Sequence, residues 1–355
     1  MLHVASKKGL LSFEETAGGW TLQRTAFIGE PLSAVLADPR DGTLYAALNL
    51  GHFGVKLHRS DDAGATWKEL APPAYPAAGD GEGPSLSLIW TLCPGGTDQP
   101  GTIWAGTAPG GLFRSDDRGE SWSLNEALWS VPSRPEWFGG GYDQPAIHSI
   151  LVDPRDSGRL TIGVSCAGAW LSDDGGASWR AGTGMRAEFM PPEKAYEPTV
   201  QDPHRLASCR TQPDRVWCQH HNGIFRSDDR GATFSEIKTA RPSAFGFAVA
   251  VHPDDPDTAW FVPAVKDECR VPVDWKMLVS RTRDGGKTFE TLSDGLPPPP
   301  AFDLVYRHGL DVDATGERLA MGSTTGGLWV GDKGGERWRL VSSHLPPIVQ
   351  VAWAD

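Results

Sequence analysis

The chain has 355 residues and a formal net charge of −12 at pH 7, with 42 glycines, 29 prolines and 15 tryptophans. Frequent turn residues and large aromatic side chains favour an all-β protein over a helical one. An acidic balance without a basic stripe argues against nucleic acid as a partner. Because no apolar run has the length of a signal peptide or a membrane span, we expect a cytoplasmic protein with no membrane partner.

Five cysteines stand at scattered positions without a Cys-x-x-Cys spacing. This pattern disfavours a disulfide framework and a thiolate zinc site, and it predicts mostly buried, reduced thiols.

In chain order, the dominant feature is an eight-residue pattern, Ser/Thr-x-Asp-x-Gly-x-Ser/Thr-Trp/Phe. It begins at Ser60, Ser115, Ser172, Ser227 and Thr282, with a weaker copy at residues 331–338 and a decayed one ending at residue 20. The successive spacings of 55, 57, 55, 55 and 49 residues match one four-stranded propeller blade. Asp and Ser side chains close such a turn by bonding to the backbone, and Gly takes a conformation that other residues resist.

Two apolar strands precede each box, so each repeat is predicted as strand A, turn, strand B, loop, strand C, box and strand D. Six such units lie between about residues 31 and 342. Residues 346–355 supply an isolated strand A, and residues 1–25 supply strands B to D. We therefore predict a single domain over residues 1–355, a seven-bladed β-propeller of four-stranded blades. Its ring is closed by strands from both ends of the chain, which removes open sheet edges.

The boxes resemble those of the Asp-box, or bacterial neuraminidase repeat, superfamily, and the resemblance covers essentially the whole chain. Members include sialidases, xyloglucan-cleaving glycosidases, sortilin-type receptors and photosystem II assembly factors. The resemblance points to a bacterial, sialidase-like branch and implies the propeller fold, but it does not select one activity. True sialidase activity is not expected, because the Arg-Ile-Pro element of that family is absent and no arginine triad can be assembled around Arg210 and Arg307.

In such a propeller the D–A and B–C connections meet at one rim, and six of the ten histidines map to these connections. Converging imidazoles can bind Zn²⁺, Mn²⁺ or Fe²⁺ or act as acid and base, whereas the alternative is that they hydrogen-bond loop backbones. The predicted metal ligands are His52, His148, His204, His221 and His308. His3, His58, His252 and His344 are interpreted as turn or surface residues.

Three long segments of the same rim, residues 125–147, 185–203 and 264–277, combine aromatic side chains with carboxylates. This combination suits a saccharide or another small polar ligand. The predicted catalytic residues are His148, His221, Tyr142 and Asp143. The predicted ligand-binding residues are Trp137, Tyr196, Arg210, Lys266, Asp267, Glu268, Trp275, Tyr306 and Arg307.

Two reactions fit these residues. Glycoside hydrolysis requires two opposed carboxylates, for which the candidates are Asp143, Glu197, Asp202, Asp267 and Glu268. A β-eliminating polysaccharide lyase would instead use a histidine and a tyrosine as base and acid. A Cys166–His148 nucleophile is a third arrangement. The alternatives to an enzyme are a non-catalytic propeller that binds a protein partner, as in assembly factors, and a lectin.

Overall fold

The computed structural model describes residues 1–77 and 83–354. Within these residues, 29 strands form seven antiparallel sheets of four strands, one of which carries an additional short strand. The sheets are the blades of a β-propeller, so the predicted all-β, seven-bladed fold is confirmed. The chain divides into two compact units, a three-blade unit over Glu30–Pro203 and a four-blade unit over Met1–Gly29 and His204–Asp355. A single domain over residues 1–355 stays a prediction.

The strands are, in chain order, β1 (Leu2–Ser6), β2 (Gly9–Thr16), β3 (Gly19–Ala26), β4 (Leu32–Ala37), β5 (Leu44–Asn49), β6 (Val55–Ser60), β7 (Lys68–Leu70), β8 (Leu88–Pro94), β9 (Ile103–Ala108), β10 (Leu112–Ser115), β11 (Ser123–Leu124), β12 (Ala146–Asp153), β13 (Asp156–Ser165), β14 (Gly168–Ser172), β15 (Arg180–Ala181), β16 (Pro203–Ser208), β17 (Val216–His220), β18 (Gly223–Ser227), β19 (Ser235–Ile237), β20 (Gly246–Val251), β21 (Ala259–Lys266), β22 (Cys269–Pro272), β23 (Val279–Thr282), β24 (Glu290–Leu292), β25 (Leu310–Val312), β26 (Leu319–Gly322), β27 (Leu328–Asp332), β28 (Arg337–Ser342) and β29 (Ile348–Trp353).

Helices are short. The α-helix α1 covers Glu126–Trp129, and 3-10 turns cover Gly51–Phe53, Arg134–Glu136, Pro198–Val200 and Val273–Trp275. Nowhere in residues 1–77 and 83–354 does a helix have the length and apolar character needed to cross a membrane.

The three-blade unit contains the sheets β4 to β7, β8 to β11 and β12 to β15, each with its strands in sequence order. Apolar side chains of successive blades pack face to face. Tyr45 and Leu57 of the first blade lie in one buried cluster with Ile89 and Phe113 of the second. Because one face of each sheet is covered by the next sheet, the strands are apolar over most of their length.

The four-blade unit contains the sheets β16 to β19, β20–β21–β23–β24, β25 to β28 and β29–β1–β2–β3, with β22 paired to β21 beside the second sheet. The last sheet joins both ends of the chain, as predicted. Its register pairs Leu2 with Trp353 and Val4 with Val351, and all four side chains are buried.

Each of the five full Asp boxes closes its turn by four side-chain hydrogen bonds. In the first box, the Ser60 hydroxyl donates to Asp62 Oδ1 (2.7 Å) and accepts from the Gly64 amide (2.8 Å). The Asp62 carboxylate also accepts from the amide and the hydroxyl of Thr66, at 2.8 and 2.7 Å. The same four bonds recur in the boxes that begin at Ser115, Ser172, Ser227 and Thr282.

The fourth box residue has a left-handed backbone, with φ of 55° at Ala63 and 62° at Arg118. This conformation is costly for a residue with a Cβ, so the surrounding bonds must hold it. Within each unit, its carbonyl accepts from an arginine of the preceding blade. Arg59 Nη1 donates to Arg118 O at 3.1 Å, and Arg281 Nη1 donates to Gly334 O at 2.8 Å. The boxes therefore fix both a turn and the contact between successive blades.

The box carboxylates predict how the fold responds to acid. Hydrogen bonds from Thr66, Ser121 and Ser178 lower the pKa of Asp62, Asp117 and Asp174 from 3.8 to about 2. Because the folded pKa is depressed, their stabilisation is complete above the unfolded pKa of 3.8 and is lost as the pH falls through about 2. We expect the triple Asp→Asn variant to be less stable at neutral pH and to show a weaker pH dependence of the unfolding free energy across that window, measured by urea denaturation.

The control for this prediction is Asp294→Asn, an exposed carboxyl outside the boxes. A triple variant that keeps the full pH dependence of the wild type would contradict the role assigned to the box carboxylates.

Candidate functional site

In the three-blade unit, His148 and Tyr142 both contact the ring of Trp90. The ring centroids of Trp90 and Tyr142 are 4.8 Å apart, and those of Trp90 and His148 are 5.5 Å apart, both edge to face. His148 lies inside β12 rather than at its entry, is fully buried and pairs through Nδ1 with the Ser149 hydroxyl at 2.9 Å. Tyr142 is exposed. The structure thus brings together two of the predicted catalytic residues through an indole that sequence reasoning missed.

A group of buried polar side chains lies at the end of β13 in the same unit. Asp202 Oδ1 accepts from the Ser165 hydroxyl at 3.0 Å and from the Cys166 amide at 3.3 Å. The backbone of Gly140 passes so close that a Cβ there would lie 2.5 Å from Cys166 Sγ. A glycine at position 140 is thus required by this close approach.

Trp137 is a correction to the sequence prediction. Its side chain is buried, packs against Trp170 with centroids 5.3 Å apart, and is covered by the Arg134 guanidinium at 4.6 Å. Arg134 also lies 4.0 Å from the Trp129 ring centroid. Trp137 therefore anchors its own loop and offers no stacking face to a ligand.

The other predicted residues of the three-blade unit are exposed. His52 lies in the B–C connection, as predicted, and its ring contacts that of the exposed Phe53 edge to face, with centroids 5.5 Å apart. Tyr196 and Asp143 lie on the surface of their loops, and Glu197 is exposed beside Tyr196.

The four-blade unit contains a larger group of aromatic and polar side chains in contact. One of them is His204 in β16. Its ring stacks on Phe247 of β20, with centroids 4.5 Å apart and an interplanar angle of 15°. His204 Nδ1 lies 2.7 Å from the carbonyl oxygen of Gly246, and because a carbonyl only accepts, Nδ1 carries the proton. The half-buried His221 meets His204 edge to face at 5.4 Å. Two of the five predicted metal ligands are therefore in contact.

Two cationic side chains and a phenol also lie against the Phe247 ring. Tyr306 packs edge to face on it at 5.0 Å, and the Arg270 and Arg307 guanidinium carbons lie 5.4 and 5.6 Å from its ring centroid. Arg270 is paired with Asp267 at 2.5 Å. Burial disfavours the Arg270 charge, but hydrogen bonds to Tyr306 and Asp267 outweigh this and raise its pKa.

We call His204, His221, Phe247, Arg270, Tyr306 and Arg307 the aromatic–basic cluster. Its members come from the starts of strands A, from the B–C turn after β17 and from β22, all at the end of the sheets opposite the Asp boxes.

Local backbone contacts hold the cluster in place. The buried Gln219 amide donates to Ala244 O at 2.9 Å and to Gly223 O at 3.3 Å, which ties the turn carrying His221 to the segment before β20. Gly246 packs so tightly that a Cβ would lie 2.6 Å from Val262 O. A larger residue there would displace Phe247, so the sequence Phe-Gly-Phe at residues 245–247 positions the central ring.

Arg210 is a second correction. It lies in the A–B turn after β16, where its guanidinium pairs with Asp254 at 3.0 Å and donates to Ala314 O at 3.2 Å. The A–B turn is at the Asp-box end of the sheet, so Arg210 cannot share a site with Arg307. Turn residues on the two ends of a strand have similar compositions, and for that reason the sequence did not separate them.

The remaining predicted residues of the four-blade unit are peripheral. Lys266 and Glu268 form an exposed ion pair at 3.5 Å, and Trp275 is exposed in the 3-10 turn that follows β22. His308 is buried two residues before β25, where its carbonyl accepts from Val351 N at 3.0 Å. His3 is also buried, contrary to expectation, and burial lowers its pKa to about 4.

An open apolar groove of about 520 Å³ lies elsewhere in this unit. Its floor and walls are contributed by the segment after β24, by the B–C turn after β26 and by β27 and β28. Leu296, Trp329 and Leu340 supply apolar surface, and Asp303 and Thr325 supply polar atoms.

All five cysteines are free thiols. Cys166, Cys209 and Cys218 are buried, Cys93 is half-buried and Cys269 is exposed, which fits the predicted pattern for most of them.

Comparisons with known proteins agree with this fold. A model of the BNR-Asp box repeat matches residues 224–237. The chain is 24% identical over 336 residues to a probable oligoxyloglucan-reducing end-specific xyloglucanase of Neosartorya fischeri, covering 86% of this chain and 38% of that protein. The chain thus spans well under half the length of this relative.

Two solved structures share the fold. The GH74 xyloglucanase of Xanthomonas campestris superposes with a TM-score of 0.66 at 18% identity, over 96% of this chain and 52% of that one. YCF48 of Cyanidioschyzon merolae superposes with a TM-score of 0.56 at 13% identity, over 88% and 86%. At these identities the structures establish the fold alone. The chain is therefore a seven-bladed β-propeller with Asp-box repeats, and its bacterial origin stays a prediction.

The contacts in the cluster predict different losses of stability for two substitutions. Phe247 is buried at the centre of the contacts, so Phe247→Ala should lower the free energy of unfolding by about 3 kcal/mol. Tyr306 is half-buried, so Tyr306→Phe should cost at most about 1 kcal/mol because one hydrogen bond is lost. Urea denaturation measures both values, and a Tyr306→Phe loss as large as that of Phe247→Ala would contradict the assigned geometry.

Proposed function

We propose that this protein binds and processes a saccharide at the aromatic–basic cluster. One observation carries the proposal: an imidazole, a phenol and two guanidinium groups from three successive blades of one unit lie on Phe247, and a second imidazole, that of His221, packs against the first. Pockets for polar small molecules combine an apolar surface with a few fixed polar groups, and this cluster has both.

The relatives support the class of ligand. The curated relative named above is a xyloglucanase, and a solved GH74 xyloglucanase shares the propeller over nearly the whole of this chain. Since this chain covers only part of either protein, a saccharide ligand is carried over here, and neither their substrate nor their reaction is.

His221 and Tyr306 are the groups that we assign to proton transfer. Both are half-buried, so both combine a fixed position with access to a ligand. His204 is buried and fixed by Gly246 O and Phe247, and it packs against His221 as a positioning residue. An imidazole and a phenol can both transfer protons in general acid–base catalysis.

A divalent metal is the second use that this histidine pair supports. When Nδ1–H of a histidine donates to a backbone carbonyl, Nε2 is oriented as a ligand, and His204 has this arrangement. His221, whose ring contacts that of His204, would supply a second nitrogen. Zn²⁺, Mn²⁺ and Fe²⁺ all accept imidazole and carboxylate ligands.

A protein partner is a second candidate function, and the open groove favours it. Its surface at Leu296, Pro297, Pro298 and Leu340 is apolar, as in surfaces that bind other proteins. A cytoplasmic location is proposed with it, on the five free thiols.

Saccharide binding is tested by calorimetry with a panel of neutral and acidic oligosaccharides. We expect the wild type to bind at least one of them and His221→Ala to weaken that binding at least about tenfold, because a hydrogen bond to the ligand is lost. His344→Ala, an exposed histidine outside the cluster, is the matched control. Binding without any cleavage would identify a lectin, and binding by no member of the panel would contradict the proposal and favour the protein partner.

Metal content is measured on the purified protein by elemental analysis. If His221 is a ligand, about one equivalent of metal should be present in the wild type and in His344→Ala, and it should be lost in the double variant His204→Ala with His221→Ala. A wild type without metal, or a double variant that keeps it, rules out the metal and leaves His221 as a base.

A further inference from the structure

The open groove of the four-blade unit combines an apolar surface with a single charge. Leu296 and Trp329 are buried, whereas Leu340 of β28 is 54% exposed. Asp303 is the one charged residue among the described residues that line the groove. An exposed apolar surface with polar groups beside it is typical of interaction sites. The groove therefore offers a ligand both apolar contact and a negative charge.

The carboxylate of Asp303 is occupied at one oxygen and open at the other. Its Oδ1 accepts from the Ser323 hydroxyl at 2.8 Å and from the Thr325 hydroxyl. Within residues 1–77 and 83–354, Asp303 has no ion pair and its Oδ2 has no hydrogen bond. A carboxylate oxygen has about two acceptor sites, so the two hydroxyls fill Oδ1. Oδ2 is left for a ligand, and Asp303 is half-buried, which keeps it accessible.

The turn that carries these two hydroxyls is held by hydrogen bonds and close packing. Ser323 N donates to Gly327 O at 2.9 Å, and Gly327 N donates to Ser323 Oγ at 3.0 Å. Gly327 lies directly against the Trp329 ring, where a Cβ would not fit. Leu345 N also donates to Gly326 O at 3.2 Å. The hydroxyls that orient the carboxylate are therefore in place before a ligand binds, which lowers the entropic cost of binding.

A single open carboxylate oxygen suits an ammonium better than a guanidinium. A guanidinium fork pairs best with both oxygens of a carboxylate, whereas an ammonium is a compact point charge with three rotatable donors. Lysine also has a four-carbon apolar stem, which can lie on an apolar surface while the charge reaches a polar group. Leu296 and Pro297 supply such a surface in the groove that contains Asp303. Charge and shape together favour a lysine side chain.

The strand β28 indicates that this lysine belongs to an extended chain. β28 is the outermost strand of its sheet, and its residue Leu340 also lines the groove. An edge strand presents backbone N–H and C=O groups with which an extended peptide can pair. The Trp338 amide already donates to Asp294 O at 2.8 Å, so a peptide would pair with residues 339–342. Every second side chain of that peptide would then face the groove.

We propose that this groove binds an extended, apolar peptide segment of a partner protein, and that one lysine of the segment pairs with Asp303. A volume of about 520 Å³ is that of a pocket for a compact ligand, so the groove takes a short segment. The net charge of −12 also favours a cationic partner. The inference deepens the second candidate function, a protein partner at this groove. It is independent of the saccharide site, because no member of the aromatic–basic cluster lines the groove.

The experiment uses the full chain and an array of short capped peptides in which lysine, arginine, norleucine or glutamate stands at the centre of varied apolar residues. Calorimetry then measures the affinity of the best lysine peptide and of its norleucine counterpart. We expect the lysine peptide to bind at least about tenfold more tightly than the norleucine peptide, because the norleucine side chain cannot form the charge-assisted hydrogen bond. The arginine peptide should bind more weakly than the lysine peptide.

Two variants assign the contacts. Asp303→Asn keeps an acceptor for the hydroxyls but removes the charge, so it should weaken the lysine peptide about tenfold and leave the norleucine peptide unchanged. The unchanged norleucine affinity also shows that the groove of this variant is folded. Leu340→Ser should weaken both peptides. The matched controls are Asp294→Asn, an exposed carboxyl outside the lining, and Leu22→Ser, an exposed leucine on the outer strand β3, and both should behave as the wild type.

The outcomes separate this inference from the proposed functions. Equal affinities for the lysine and norleucine peptides, with both lost in Leu340→Ser, overturn the ion pair but leave a peptide site in the groove. Binding of the lysine peptide that is unchanged in Asp303→Asn and in Leu340→Ser overturns the assignment to this groove. Binding by no peptide overturns both the inference and a linear segment as the partner. Saccharide binding at the aromatic–basic cluster is measured separately and is decided by its own variants.

Discussion

The hydrogen bond from an arginine of one blade to the left-handed residue of the next Asp box is the contact on which the architecture depends. That residue has a positive φ, 55° at Ala63 and 62° at Arg118. In both units the arginine then reaches it from strand C of the preceding blade. A local motif of eight residues thereby sets the spacing of whole sheets.

The opposite end of the sheets carries neither the Asp boxes nor their arginine contacts. Connections there differ in length and sequence, and residues from neighbouring blades are brought together without a shared motif. The aromatic–basic cluster shows the result: its central ring is buried and rigid, while the polar groups around it come from separate strands and turns. Fixed dipoles and charges of this kind are what binding and catalysis need, because little reorganisation is required when a ligand arrives.

The sequence predicted the fold well because the Asp box is a local structure, set by side-chain hydrogen bonds within seven residues. It also predicted the shared seventh blade, since strands left over at the two ends complement each other. Its predictions for individual side chains were weaker. Trp137 lies in a loop that combines aromatic side chains with carboxylates, as ligand-binding loops do, but its ring packs on Trp170. Arg210 lies at the other end of its blade. Periodicity identifies a strand, but it does not show which neighbouring aromatic covers a given ring.

Phe247 belongs to the candidate site, but the sequence did not identify it. It reads as an ordinary core residue at the start of a strand, and only the tertiary structure shows that His204, Tyr306 and two arginines meet on it. The Phe-Gly-Phe sequence at residues 245–247 was the available signal, because a glycine between two aromatic residues marks a close approach of backbone. The histidine enrichment did point to His204 and His221, although the structure disperses the other histidines into separate surroundings.

The short strand β22 adds a practical property to the site. Its first residue, Cys269, is an exposed thiol immediately before Arg270, whereas three of the other cysteines are buried and Cys93 is half-buried. Thiolate reactivity follows access to solvent. A fluorophore with thiol chemistry would therefore attach preferentially beside the guanidinium, and the native sequence already contains the attachment point for an optical sensor of ligand arrival.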